Sequence, residues 1–201
     1  MTPPGTFERV YAAIKQRLRI GFYRPGEKLE PAVLSDELNA SVTPVRDALH
    51  RLTGERLVEA PRHEGFRTPM ITETMLRHLY VWHRDLLILA LVNRWSHVPQ
   101  CHEELSSSAN GVGERQRAFF RMLASMSGNP EHLHAFEALS DRLEPFHRLE
   151  GALLDAIEEE TEEIGVALRS ANRAQLRRAL IRYHRRRERI VPELLERLYG
   201  R

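Results

Sequence analysis

The chain has 201 residues, of which 42% are hydrophobic and 29% are charged. This length and composition favour one large or two small globular domains and argue against wholesale disorder or a membrane-spanning protein. The N-terminus lacks the basic and apolar layout of a signal peptide. The single cysteine, Cys101, excludes an internal disulfide and a cysteine-ligated zinc finger. We therefore expect a cytoplasmic protein.

The net charge of +2 hides an uneven distribution along the sequence. Residues 1–72 contain 11 basic and 9 acidic side chains, residues 73–168 contain 8 and 16, and residues 169–201 contain 11 and 3, giving +2, −8 and +8. We predict that the basic stretch lies beside the acidic stretch Glu158–Glu163 or in solvent, with Arg185, Arg186 and Arg187 on a solvated helix face. Direct contact of this stretch with nucleic acid is the alternative.

The first 70 residues are predicted to begin with three short helices. A helix capped by Thr6 runs to Gly21, and a second helix covers Pro31–Asn39. Thr43 followed by Pro44 is typical of a helix N-terminus, because the hydroxyl can cap the helix and proline lacks the N–H that would need a partner there. The third helix therefore starts at this pair.

A hairpin follows the third helix. Residues 57–60 and 66–68 alternate like two strands around a tip that contains Arg62 and His63 beside Gly65. These tip residues are candidates for contact with a DNA minor groove or its flanking phosphates, whereas the carboxylate of Glu64 opposes such contact. Three short helices and a hairpin predict a winged helix-turn-helix domain over residues 1–70.

The N-terminus of the third helix carries the strongest candidate interface. In a helix-turn-helix this helix enters the major groove N-terminus first, and its free N–H groups favour a phosphate there. Ser41, Val42, Thr43 and Pro44 occupy that end. Arg46 points outward, where a guanidinium can bond guanine O6 and N7. We predict that these residues contact DNA.

From Thr72 onward the periodicity is helical, so residues 71–201 are predicted to form an all-α bundle and the whole fold is mainly α. Further helices are expected over residues 114–126, 131–144, 153–170 and 174–199, with a loop and a frayed turn over 97–113. Asn129 and Pro130 restart one helix, and Pro145 ends or kinks it. The helix that follows Thr72 has an apolar stripe made of Met75, Leu76, Leu79, Tyr80, Trp82, Leu86, Leu89 and Val92.

Two segments of the sequence resemble known protein families. The stretch from Pro25-Gly26-Glu27-Lys28-Leu29 through Ser41-Val42-Thr43-Pro44-Val45-Arg46-Asp47-Ala48-Leu49 to Leu57-Val58 and Gly65 resembles the GntR family of bacterial transcription regulators. The helical remainder, with Ser127-Gly128-Asn129-Pro130 and a C-terminal histidine, resembles the FCD effector domain of the FadR subfamily, in its shorter six-helix branch.

This resemblance implies a homodimer that binds a palindromic double-stranded DNA operator and changes its DNA affinity when a small-molecule effector binds. The resemblance favours repression of transcription over activation. The family's DNA contacts fall on Thr43, Arg46, His63 and Gly65. Members often have arginine where this sequence has Val42, and family arginines are also replaced by Ala32 and Glu64, so the operator sequence cannot be inferred from a relative.

FCD domains commonly hold a divalent metal through one aspartate and three histidines. The resemblance aligns Gln116, Phe120, Thr161 and His184 with those ligands, and one imidazole does not make a metal site, so we expect no metal and no cofactor. These four residues and His83, which replaces a family arginine, are the candidates for an effector pocket. The effector is unknown: a metabolite acid is one expectation, and a less polar molecule is the other.

Two other functions stay open at this point. One is a metal-binding sensor or enzyme built on the helical domain, and the other is an interaction module whose winged head binds protein. The sequence has no glycine-rich phosphate loop, nucleophile elbow or cysteine–histidine pair. We therefore predict that the protein is not an enzyme.

Overall fold

The computed structural model describes residues 5–91 and 112–200. Cys101, Val92 and most of the predicted loop over 97–113 lie outside the described residues. None of the described helices combines the length and apolar character needed to cross a bilayer. The helices within the described ranges are α1 (Thr6–Arg19), α2 (Pro31–Glu37), α3 (Val42–Gly54), α4 (Glu73–Ala90), α5 (Val112–Ser125), α6 (Pro130–Glu150), α7 (Ile157–Arg169), α8 (Arg173–Arg189) and α9 (Val191–Tyr199).

The chain separates into two compact units. Unit 1 comprises the residues up to Thr72 together with those from Leu195 onward, and unit 2 comprises Glu73–Leu194. Within unit 1, the Tyr199 hydroxyl accepts a hydrogen bond from the Ile71 N–H and donates one to the Ile71 carbonyl, both at 2.9 Å. The predicted boundary after residue 70 placed these last residues with the helical bundle.

Unit 1 contains the three predicted short helices around one core. Buried apolar residues recur at helical spacing on α1 and α3, so that each helix turns one stripe inward. Two helix starts differ from the predictions. Gly5, and not Thr6, stands at the N-cap position of α1. Similarly, α3 begins at Val42, because Ser41 is the last extended residue before it, so Thr43 and Pro44 lie inside its first turn.

The predicted hairpin is present in a reduced form. Glu59 and Arg67 exchange both backbone hydrogen bonds, at 2.8 and 2.9 Å, and form an isolated antiparallel bridge where two strands were expected. A third segment, which the sequence did not predict as part of it, pairs on the other side through a Lys28–Arg67 bridge. The Leu29 N–H donates to the Phe66 carbonyl at 2.8 Å. Unit 1 is thus a helix-turn-helix with a small wing.

Unit 2 is all-helical among its described residues. The predicted restart at Asn129 is confirmed, since its side chain accepts a hydrogen bond from the Glu131 N–H at 3.0 Å and Pro130 occupies the first turn of α6. Two predicted helix ends were wrong. The helix expected to stop at residue 144 continues through Pro145 to Glu150 as α6, and the single helix predicted over 174–199 is divided at Ile190 into α8 and α9.

The apolar residues predicted on the first helix of unit 2 are only partly buried. Met75, Trp82 and Leu89 are 37%, 50% and 55% exposed. They lie seven residues apart, so they share one side of the helix, next to the buried face that contains Leu76 and Leu87. We call these three residues the α4 apolar stripe.

Candidate nucleic-acid interface and interior cavity

The N-terminal turn of α3 presents polar side chains to solvent. Ser41, Val42, Thr43 and Arg46 are exposed, whereas Pro44 is half-buried. The inward-facing residues of the same helix, Val45, Ala48, Leu49 and Leu52, are buried, which fixes the outward direction of Arg46. Among the described residues, no hydrogen bond or ion pair occupies the Arg46 guanidinium. Its five N–H donors are therefore available to an incoming ligand.

An arginine that sequence reasoning missed holds the turn between α2 and α3. The Arg9 guanidinium donates to the carbonyl oxygens of Leu38 at 2.8 Å and Asn39 at 3.1 Å. Asn39 adopts a left-handed conformation with a φ of 48°, which asparagine tolerates better than most residues. These contacts fix where α3 starts relative to α1. No local pattern signals them, because the partners are about 30 residues apart in sequence.

The wing tip is exposed and left-handed at two positions. Arg62, His63, Glu64 and Gly65 are all exposed, and His63 and Gly65 have φ values of 63° and 78°. A Cβ atom at Gly65 would meet open space, so glycine is needed there for its backbone conformation and not for a close contact within the chain. The tip can therefore approach a flat or grooved partner.

The charge of Glu64 is offset inside the wing. Arg67 donates to Glu64 at 3.0 Å and to Glu59 at 3.0 Å. The carboxylate that was expected to repel phosphate is thus half of an ion pair. On the other side of the wing, the rings of His50 and Phe66 meet edge to face with centroids 4.9 Å apart, which packs α3 against the wing.

In unit 2, the five predicted pocket residues form two groups, and the members of each group contact one another. His83 Nδ1 and His184 Nε2 are 2.8 Å apart, and both histidines are buried. The Phe120 ring lies 5.7 Å from the His83 ring and 6.5 Å from the His184 ring, between centroids. The Gln116 amide donates to the Thr161 hydroxyl at 3.3 Å. The residues that the family resemblance selected lie on α4, α5, α7 and α8, and they make these contacts in the folded chain.

Burial keeps the two histidines neutral. It lowers the pKa of His83 well below its ordinary value and that of His184 to about 3, and the positive charge of Arg187 adds to both shifts. His184 Nδ1 lies 2.7 Å from the Leu180 carbonyl and must carry the proton of that bond. Within the described ranges, no cluster of three or more histidine, cysteine, aspartate or glutamate side chains is arranged to hold a metal ion.

A buried ionic network lies next to the histidines. The Glu150 carboxylate accepts hydrogen bonds from Tyr80 Oη at 2.8 Å and from Arg187 Nε at 2.9 Å, and it lies 3.0 Å from His147 Nδ1. Burial alone would raise the pKa of Glu150, but its contacts with His147, Arg187 and Tyr80 lower it to about 2. Arg187 also pairs with Glu160 at 2.7 Å.

This network corrects the prediction that Arg187 is solvated. Arg187 has no exposed surface, because it lies four residues after the buried Tyr183 and therefore shares its face of α8. Its neighbours Arg182 and Arg186 do meet the acidic stretch, through Glu163 and Glu160. The predicted pairing of the basic stretch with that acidic stretch is confirmed.

The family match covers residues of unit 1 alone, whereas a similar solved structure aligns over both units. The family model of bacterial regulatory proteins of the gntR family matches residues 6–67. Residues 6–67 form a GntR-type helix-turn-helix domain. The Nta operon transcriptional regulator of Aminobacter aminovorans is 36% identical over 58 residues, which are 29% of this chain and 28% of that protein. The HTH-type transcriptional repressor GlaR of Escherichia coli (strain K12) is 31% identical over 70 residues, which are 35% and 32% of the two chains.

These alignments span about a third or less of the curated relatives' own length. The solved structure of E. coli McbR/YncC covers 94% of this chain and 98% of its own, with a TM-score of 0.71 at 23% identity. That likeness extends the shared fold to the helical unit. The eight predicted DNA-contact residues all lie in the GntR-type domain, and the five pocket candidates lie outside it.

Proposed function

We propose that the protein is an effector-responsive transcription repressor of the cytoplasm, which binds a palindromic DNA operator as a homodimer. The GntR-type domain would read the operator, and residues 71–201 would act as an FCD-like domain for effector binding and dimerisation. The curated relatives are named as transcriptional regulators and not as enzymes, which supports the prediction that this protein is not an enzyme.

The observation that carries the proposal is the exposure of Arg46 on α3. A guanidinium one turn into a recognition helix can bond guanine O6 and N7, and such a bidentate contact contributes roughly 1–3 kcal/mol of discrimination between bases. Thr43 is exposed on the preceding turn, where the N-terminal N–H groups of α3 favour a phosphate. Val42 offers an apolar contact to a thymine methyl group.

The wing is proposed as a second, weaker contact. Arg62 and His63 are exposed at its tip, and Gly65 gives the tip its left-handed turn. Because Glu64 is paired with Arg67, its repulsion of phosphate is partly offset. The wing would then add affinity through backbone phosphates, while α3 supplies the choice of sequence.

The α4 apolar stripe supports the proposed homodimer. Met75, Trp82 and Leu89 present large apolar side chains to solvent along almost four turns of one helix. A second copy related by a two-fold axis would place the same stripe opposite itself, as an isologous interface requires. Burial of the Trp82 ring would be the largest single gain in such an interface.

The proposal is tested by selecting bound duplexes from a random pool at two salt concentrations. We expect a palindromic sequence to be enriched at both, with weaker overall binding at the higher salt concentration because the release of counterions from the phosphates is less favourable there. Enrichment of a single non-repeated site would contradict dimeric binding. No enrichment at either concentration would contradict sequence-specific DNA binding altogether.

A further inference from the structure

The turn at the wing tip holds Glu64 in a defined place. The Glu64 N–H donates to the Pro61 carbonyl at 3.2 Å, which closes a four-residue turn with Arg62 and His63 at its corners. The next residue, Gly65, has no side chain and only open space around its Cβ position. The backbone beside Glu64 can therefore come close to a partner without a side chain in the way.

One carboxylate oxygen of Glu64 is paired and the other is free. Glu64 Oε2 accepts a hydrogen bond from Arg67 Nη1 at 3.0 Å, and Arg67 is itself held by Glu59 through Nε at 3.0 Å. Within the described part of the chain, no hydrogen bond reaches Glu64 Oε1, and more than half of the side chain is exposed. The ion pair thus orients the carboxylate and leaves one oxygen as an acceptor for a ligand.

The wing has no net charge that would draw it to DNA. Between Glu59 and Arg67 it carries two carboxylates and two guanidinium groups, so its formal charge is zero when His63 is neutral. A basic wing would be attracted to the narrow minor groove of A·T tracts, where the negative potential is enhanced. This wing lacks that attraction, so the hydrogen-bonding groups at its tip decide which base pairs it favours.

The minor groove offers a carboxylate oxygen a single kind of partner among the base edges. The N2 amino group of guanine is the hydrogen-bond donor there, whereas A·T pairs present only the acceptors adenine N3 and thymine O2. Over a G·C pair, Glu64 Oε1 can accept a hydrogen bond. Over an A·T pair it meets acceptors alone, and a polar group that loses water without gaining a partner costs free energy.

We propose that Glu64 is a specificity-determining residue, whose free carboxylate oxygen accepts a hydrogen bond from guanine N2 in the minor groove. The wing then favours G·C over A·T base pairs beside the positions that α3 reads. This inference rests on the proposed function and deepens it, because it gives the wing a part in the choice of sequence as well as in affinity.

The test uses base analogues in the operator enriched by selection. Inosine replaces guanine at one flanking position of each half-site at a time, which removes the N2 amino group and leaves the major-groove edge unchanged. We expect the affinity of the unmodified chain to fall roughly threefold to tenfold at one or more flanking positions, the effect of one lost hydrogen bond. At the same positions, diaminopurine in place of adenine adds the amino group to an A·T pair and should raise the affinity.

Two variants show whether Glu64 is the group that reads the amino group. Glu64→Ala should bind the guanine and inosine duplexes equally, because the acceptor is gone. Glu64→Arg should reverse the preference towards A·T pairs, since arginine favours the narrow minor groove. Glu163→Ala is the matched control: it removes another exposed carboxylate that is paired with an arginine, Arg182 of unit 2, and should keep the preference of the unmodified chain.

The inosine comparison on the unmodified chain needs no substitution, so it stands even if a variant does not fold. Equal affinity for the guanine and inosine duplexes at every flanking position would overturn the inference. An undiminished difference in folded Glu64→Ala would overturn it too, since another group would then read the amino group. In both cases an enriched palindromic operator would leave the proposed function intact, whereas no sequence-specific binding at all would overturn both.

Discussion

In unit 1 the polar side chains around the start of α3 are exposed, whereas in unit 2 the polar side chains between α4, α6 and α8 are buried and bonded to one another. Arg46 and Arg187 represent the two cases. Both are arginines on helices with an inward apolar stripe, but Arg46 faces solvent and Arg187 is enclosed between Glu150 and Glu160. The same residue type is therefore open to a binding partner in one unit and paired inside the core in the other.

The two arginines should respond differently to substitution. A buried arginine that pairs with two carboxylates, as Arg187 does, is committed to them, so its loss should change stability before it changes binding. An exposed arginine without such partners costs little to remove, so its loss should change binding alone.

The largest effect is expected from Arg187→Met. This substitution leaves the Glu150 carboxylate buried without its cation, and breaking a buried ion pair in this way costs about 3–5 kcal/mol. Urea denaturation measures the unfolding free energy, and Arg185→Ala, an exposed neighbour on α8, is the control, with a change within about 0.5 kcal/mol. Equal effects of the two substitutions would mean that the buried network does not stabilise unit 2.

Trp82→Glu should abolish the proposed homodimer. A charge in the centre of an apolar interface costs about 2 kcal/mol or more, which weakens dimerisation at least about thirtyfold. Analytical ultracentrifugation measures the association. Val166→Glu is the matched control, because Val166 is 45% exposed on a different helix, α7, and should leave the dimer intact. A dimer that survives Trp82→Glu would exclude the α4 apolar stripe as the interface.

The buried histidines predict that the chain loses stability as the pH falls below 6.5. In the unfolded chain both histidines bind protons near pH 6.5, whereas His184 in the folded chain stays neutral down to about pH 3. Between these pH values the unfolded state binds more protons, so the unfolding free energy falls as the pH falls. Each such histidine lowers the unfolding free energy by up to about 1.4 kcal/mol per pH unit. Glu150, with its pKa lowered to about 2, loses its own contribution only below about pH 4.5.

The window from pH 6.5 to 4.5 therefore isolates the histidines. We expect the pH dependence of the unfolding free energy to be less steep in His184→Asn than in the unmodified chain, by up to about 1.4 kcal/mol per pH unit. His134→Asn, at an exposed position, controls for the loss of a histidine and should keep the original slope. Identical slopes in all three proteins would contradict the neutral state assigned to His184.

A smaller effect is expected at the wing tip. Gly65→Ala places a Cβ atom on a residue with a φ of 78°, which costs about 1 kcal/mol. Gly54→Ala is the matched control, because Gly54 ends α3 with nothing near its Cβ position, and it should raise stability by roughly 0.5 kcal/mol. Thermal unfolding measures both. No loss of stability in Gly65→Ala would mean that the tip relaxes without strain.

The sequence predicted those features that depend on local spacing. Val45 and Leu49 fixed the inward side of α3 and hence the outward direction of Arg46. Asn129 and Pro130 marked a helix start through capping chemistry that acts within one turn. The pocket candidates required a family resemblance, because His83 and His184 are 101 residues apart in sequence and meet only in the folded chain.

Errors arose where tertiary packing decided the outcome. Arg187 was assigned to solvent because it stands in a run of three arginines, yet its position on the face of Tyr183 places it in the core with Glu150. The break at Ile190 was hidden because an apolar pattern continues through it into α9.

The role proposed for Arg46 is tested by comparing the base preference of the unmodified chain with that of Arg46→Ala and Arg46→Lys. Affinities are measured for the enriched operator and for each of its single-base variants. We predict that Arg46→Ala lowers affinity for the operator by about 1–3 kcal/mol and removes discrimination at one position of each half-site. Arg46→Lys should keep more of the affinity, because lysine keeps the positive charge. It should lose the same discrimination, because an ammonium group lacks the paired N–H donors that a guanidinium directs at guanine O6 and N7. An unchanged base preference in both variants would contradict the role assigned to α3.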